Sequence, residues 1–341
     1  MKRELFVALG LALFASPALA GGHQPSEMHF TVTPLVADQP GIAPNTDPDL
    51  VNPWGISAFP GNPLWVSDNG TDVSTLYDPN TGAKISLTVN IPSGAPTGTV
   101  AIPPGNGFVV TEGANSGESL FLFDSEAGVI SGWNSSVDLH NAIAAYDGSA
   151  MGSVFKGLAY DPASNHIFAA DFTKNKVEVF DNTFNKIMAF TDKNLPKHYA
   201  PFNVAVLNGK LYVAFAKRKR GDIDNVDGKG LGYIDVFTTD GHFTKTLVAN
   251  GPLNAPWGMV LAPESFGALA GTLLVGNFGD GHINAFDVNS GALIETLHAS
   301  RHKEVKIDGL WALFDSGNGS ITFSSGPNDE ANGLLGLITP Q

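Results

Sequence analysis

Acidic and amide side chains recur just past short apolar runs in this chain: Asp68 and Asn69, Glu112 and Asn115, Asp171, Asn277 and Asp280, then Asn328 and Asp329. Asn52, Asn203, Asn254 and Asp308 precede or open other apolar runs. Carboxylate and amide oxygens are hard ligands. A set converging on one point suits Ca²⁺, which takes about six to eight oxygens in loose geometry. Glu112, Asp171 and Asn277, with Asp68 beside them, are the candidate ligands of such an ion. A second acidic group lies in KRKRGDIDNVDGKG, Lys217 to Gly230, where Asp222, Asp224 and Asp227 approach Gly228 as in a calcium loop. The match to an EF-hand fails, because the glycine falls one place late and no distal Glu follows. Without an ion, the same residue types make turns, since Asp and Asn bond their own backbone.

Other chemistry is sparser. Gly21-Gly22-His23 would offer an amine, two amide nitrogens and an imidazole to Cu²⁺ in a square plane, provided the chain is cut after Ala20. The remaining histidines show no zinc spacing. His140 and His198, read as lying in loops before inner strands, are candidate general bases. Cysteine is absent, which removes thiolate catalysis and disulfides together. No G-x-S-x-G elbow and no P-loop occurs.

Met1 to Ala20 reads as an export leader: Lys2 and Arg3, an apolar run from Leu5 to Phe14, and Ala18-Leu19-Ala20 at the cut. The run is too short to span a membrane. The expected product is periplasmic or extracellular, without stable membrane insertion, and monomeric. A formal charge of −14 disfavours nucleic acid as a partner and leaves a small molecule, a polymer or a protein. With 43% apolar residues the 341-residue chain can build a large core.

The elements that must position these residues repeat. Six apolar strands open with Trp54-Gly55-Ile56, Thr97-Gly98-Thr99, Lys156-Gly157-Leu158, Phe202-Asn203-Val204, Trp257-Gly258-Met259 and Asp308-Gly309-Leu310. Their middle residues lie 43 to 59 positions apart, the period of propeller blades. A second strand follows each, from Leu64, Phe108, His166, Leu211, Thr272 and Ser320, and third and fourth strands complete five units. Trp54 and Trp257 are expected in the core, with indole N–H groups on carbonyls. His140 to Ala145 reads as one helical turn. The last unit lacks a fourth strand, and His29 to Ala37 is spare at the other end. The expectation is an all-β, six-bladed β-propeller over residues 29–341, its ring closed by the N-terminal strand, after a loose segment at 21–28. Loops after the second strand and before the first then gather at one mouth of the channel.

The repeats look like NHL and YncE-like propellers. Asp47-Pro48-Asp49-Leu50-Val51-Asn52-Pro53-Trp54-Gly55, Leu64-Trp65-Val66-Ser67-Asp68-Asn69-Gly70, Gly309-Leu310-Trp311 and Ser325-Gly326-Pro327-Asn328 resemble an uncharacterised family of exported bacterial six-bladed propellers. That resemblance implies fold and export and brings no catalytic residues. The acidic mouth is similar to that of calcium-dependent lactonase and gluconolactonase-like propellers, where one ion polarises the substrate. The expected function is therefore binding of a ligand or partner at the channel mouth; the alternative is a calcium-dependent hydrolase or lyase at the same place.

Overall fold

The computed structural model describes residues 28–341; the leader, the Gly21-Gly22-His23 chelate and most of the 21–28 segment lie outside the described residues. Six antiparallel sheets follow one another along the chain. Each first strand touches the first strands of its two neighbours, and blade 6 touches blade 1, so the sheets close into a six-bladed ring. Blade 1 is typical: Pro53–Ser57, Leu64–Asp68, Val73–Tyr77 and Lys84–Asn90, from axis to rim. The first strands of blades 2 to 6 are Pro96–Ala101, Phe155–Asp161, Tyr199–Leu207, Pro256–Leu261 and Leu310–Asp315. Among the described residues no helix is long and apolar enough to cross a membrane.

The two ends of the chain meet as expected. Phe30–Ala37 pairs antiparallel with Leu334–Pro340 as the fourth strand of blade 6, removing two open edges. The chain then ties blade 6 to blade 1. Asn45–Thr46 adds a parallel fifth strand, and Asp47 beyond it accepts the Tyr77 hydroxyl at 2.6 Å and pairs with Lys84 at 2.8 Å.

Three details differ from the sequence reading. In blade 2 the second strand is Phe121–Ser125, paired with Pro96–Ala101; the run after Phe108 instead folds into a separate hairpin, Val109–Glu112 with Asn115–Glu118. Alternating apolar residues in an inserted hairpin mimic a blade strand. His140 to Ala145 is no helical turn, since Ile143–Asp147 is the outermost strand of this blade. In blade 6 the register places Trp311-Ala312-Leu313, not Asp308-Gly309-Leu310, opposite the bulged triplets of the other blades.

Each first strand carries a β-bulge near its start, as between Pro53 and Ile56, Pro201 and Asn203, and Pro256 and Met259. The bulge turns one side chain into the axis and brings the next residue against the neighbouring blade. At Gly258 a Cβ would lie 2.6 Å from the Trp311 carbonyl oxygen, and at Gly55 2.6 Å from that of Thr97. We expect Gly258→Ala to lower stability by about 1–3 kcal/mol through this overlap with backbone, read as a reduced denaturation midpoint at unchanged slope.

Several carboxyls are buried inside blades. Asp235, on the third strand of blade 4, has no exposed surface, and burial pushes it up to about 7; the Thr246 hydroxyl opposes the shift and the Asp192 charge adds to it. Burial likewise raises Asp124 to about 6 against bonds from Thr97 and the Gly98 N–H. Between the ordinary aspartate value and about 7 the folded chain holds a proton on Asp235 that the unfolded chain releases. Stability therefore falls as pH rises through that window and levels off above it. Asp235→Asn should remove much of that slope and gain on the order of 2 kcal/mol at pH ~8. Urea titrations at about pH 5 and 8 check this; an equal loss in both proteins would refute it.

Candidate functional site

The first strand of each blade runs away from one face of the ring and the second returns to it. Connections from second to third strand, and from one blade to the next, therefore lie at the same mouth. The bulged position supplies the axial side chains: Trp54, Thr97, Lys156, Phe202, Trp257 and Trp311 in blade order. Four are aromatic and pack into a plug. Trp54 stacks on Trp311 with ring centres 3.5 Å apart, meets Trp257 edge-on at 6.0 Å, and Phe278 stacks on the other side of Trp311 at 4.1 Å. Below the plug the channel widens to a cavity of about 310 Å³, walled by Ile56, Leu158, Val204, Met259 and Leu313.

Lys156 is the exception in this ring. Its side chain is only 2% exposed, with Nζ 5.2 Å from the Trp54 ring centre and 5.9 Å from that of Phe172. A buried ammonium needs anionic partners. Glu126, from the mouth loop of blade 2, pairs with it through Oε1, and Asp224, from the long loop of blade 4, stands 3.5 Å away. The network continues around the mouth. Asn69 donates to Glu126 Oε2 at 3.1 Å, and Asn52 donates to Asn69 Oδ1 at 3.3 Å and to Glu330 Oε2 at 2.7 Å. Trp311 donates its indole N–H to Asn52 Oδ1 at 2.9 Å. Five blades thus meet in one set of polar side chains. Burial, with the charges of Glu126 and Asp224, raises Glu330 above its ordinary value, although the Asn52 bond and Lys156 oppose this.

The backbone that presents Glu330 is unusual. Asn328, Asp329 and Glu330 all have positive φ, at 60°, 52° and 65°. Left-handed backbone costs non-glycine residues about 1–2 kcal/mol each, less for Asn and Asp. The turn is held by Glu330 N–H on the Gly326 carbonyl at 3.1 Å and Asn328 N–H on Asp308 at 3.0 Å.

The residues singled out from sequence fare unequally. Asn69 and Asp224 join the network. Asp68, Asp171 and Asn277 hold equivalent places at the mouth end of the second strand, yet each is fully buried and serves its own blade. Asp68 accepts from Thr75 at 2.7 Å, and burial raises it well above the usual range. Asp171 accepts from Thr173 and the Lys174 N–H, both at 3.0 Å; Asn277 bonds Pro252, Asn254 and Asp280. Asp280 also receives His282. Asn203 replaces a bulge glycine and donates to the Trp257 carbonyl at 2.8 Å. Asn328 is exposed, on the Glu330 turn.

Glu112 and Asn115 are not at the mouth. They lie in the hairpin between first and second strands of blade 2, on the opposite face, and both are exposed. His140 likewise precedes an outermost strand, whereas exposed His198 does precede the first strand of blade 4. Asp222 takes the Ile223 N–H at 2.9 Å, Asp227 takes the Asn225 amide at 2.5 Å, and Asp224 faces Lys156, so the three diverge. Among the described residues no three His, Asp or Glu side chains gather to hold an ion. Trp257 finds its expected carbonyl, that of Lys156 at 2.8 Å; the Trp54 N–H is buried with no acceptor.

Sequence reasoning passed over Lys156, Glu126 and Glu330. Lys156 was legible as the one basic residue in a column headed by Trp54 and Trp257. Glu126 was hidden by the inserted hairpin, which shifted the alignment of blade 2.

Two curated relatives share most of the chain. The mimivirus protein "Uncharacterized protein R648", from Acanthamoeba polyphaga mimivirus, is 37% identical over 320 residues, 89% of this chain and 78% of that one. "Uncharacterized protein L690" of the same virus is 36% identical over 325 residues, 91% and 85% respectively. Among solved structures, virginiamycin B lyase from Staphylococcus aureus superimposes with a TM-score of 0.55 at 13% identity, covering 92% of this chain and 99% of that one. The likeness is one of fold, a propeller. No family model matches the sequence.

Relief of the left-handed turn isolates its energetic weight. Asp329→Gly, at an exposed position with φ of 52°, should stabilise the protein by about 1 kcal/mol. A lower melting temperature for this variant would show the turn unstrained.

Proposed function

The chain belongs to the family of the mimivirus proteins R648 and L690, and we propose that it is a propeller that binds a small polar ligand at its channel mouth. The observation that carries this reading is the Lys156 ammonium, set among aromatic rings where the other blades supply Trp, Phe or Thr. Packing alone favours another apolar residue there, because burying a charge is costly and an apolar replacement of an ion pair is often neutral or stabilising. Glu126, Asp224 and Glu330 around it make a mouth that recognises polarity and charge. The strained turn under Glu330 supports the same reading, since strain of this kind concentrates at binding sites. Catalysis is not part of the proposal: Asp68, Asp171 and Asn277 are bonded within their own blades, Glu112 is exposed away from the mouth, and Asp224 faces the Lys156 ammonium.

Lys156→Met separates recognition from scaffolding. Glu126 is 21% and Asp224 69% exposed, so both can rehydrate, and the thioether can join the aromatic plug. We expect stability within about 1 kcal/mol of the parent, together with loss of any ligand-induced rise in melting temperature. A loss of about 3–5 kcal/mol would instead assign Lys156 to structure.

A further inference from the structure

We propose that the mouth takes a small monoanionic carboxylate, which replaces the Asp224 carboxylate on the Lys156 ammonium. This rests on the reading of the mouth as a ligand site and adds the ligand's chemistry. Asp224 is a tethered carboxylate. It comes from the Lys217 to Gly230 loop, is largely exposed, and reaches the ammonium at 3.5 Å, whereas Glu126 is held by Lys156 and Asn69 together. Of the two partners, Asp224 is the one an incoming anion can displace.

Charge counting selects the class. Glu126 and Glu330 already line the mouth, so an extra negative charge is repelled. A carboxylate that takes the place of Asp224 restores the charge beside Lys156 that the departing side chain removes. A phosphate dianion adds a charge, and a neutral ligand leaves the ammonium one partner short. Phe172 also meets a second cation, with Arg218 Cζ 5.6 Å from its ring centre.

A separate observation points to a missing acceptor. Trp257 and Trp311 both donate their indole N–H groups, to the Lys156 carbonyl and to Asn52. Trp54 is 2% exposed, carries the Lys156 ammonium over its ring, and has no acceptor for its N–H. A buried donor without a partner is costly, and it belongs to the ring that the Lys156 ammonium covers.

The test compares acetate and benzoate, as sodium salts, with acetamide, benzamide and phosphate at matched ionic strength. Melting temperature and tryptophan emission are read on the parent protein, Asp224→Asn and Lys156→Met. The expected result is a response to the carboxylates and not to the amides, absent in Lys156→Met. Asp224→Asn removes the internal competitor and should tighten the apparent Kd by about two- to fivefold, the scale of an exposed ion pair. That ratio decides the matter even if Lys156→Met fails to fold. No carboxylate response in either the parent or Asp224→Asn, or weaker binding by Asp224→Asn, overturns the proposal. An equal or stronger response to the amides or to phosphate that Lys156→Met abolishes would also overturn it, while leaving the mouth as the binding site.

Discussion

Six strands cannot converge on one axis unless their backbones nearly touch. Everything near the centre of this protein follows from that crowding. The first strands approach so closely that a single methyl group at Gly55 or Gly258 would meet a neighbouring carbonyl oxygen at 2.6 Å. A bulge at this point lets the strand pass and turns the preceding side chain inward. Six such side chains then share one small volume, and large flat rings fill it best. A buried Trp contributes roughly 4–6 kcal/mol of apolar burial as an upper estimate, so the plug is a principal source of cohesion between blades.

The plug also divides the channel. On one side lies the cavity walled by Ile56, Leu158, Val204, Met259 and Leu313. On the other lies the mouth with Lys156, Glu126, Asp224 and Glu330. The boundary between them is a layer of indole rings, and Lys156 is the single charge set into it. Its ammonium is tolerated there because the ring faces, the Glu126 carboxylate and the Asp224 carboxylate replace its water. Charge and cohesion thus share one layer of side chains.

Identical residue types do opposite work in this molecule according to depth. Asp68, Asp124 and Asp235 sit inside blades and have their carboxyls raised by burial, and the first two tie strands together. Glu126 and Asp224 sit at the rim of the axis, keep contact with water, and balance a cation. The first group makes the fold sensitive to alkali; the second gives the mouth its charge. Sequence position relative to a strand end does not separate Asp124 from Glu126, which stand on either side of the last residue of one strand.

Blade count, ring closure by Phe30–Ala37, and the crowded bulge positions were legible in the sequence, because each is local: a glycine or aromatic at a fixed place in a repeat, alternation along a strand, a spare strand at one end. One insertion was enough to displace blade 2, since Val109–Glu118 alternates like a blade strand. The same local view mistook Asp308-Gly309-Leu310 for the sixth bulge, where Trp311-Ala312-Leu313 stands. The site was not legible in the same way. Asn52 and Glu330 are 278 residues apart, and Glu126 meets Lys156 across two blades. The direction in which each carboxylate points depends on which neighbouring N–H or hydroxyl claims it first, and those neighbours come from other blades. Residue types and their repeat were determined by the chain itself; which of its many acidic groups face a common point was decided only when the ring closed.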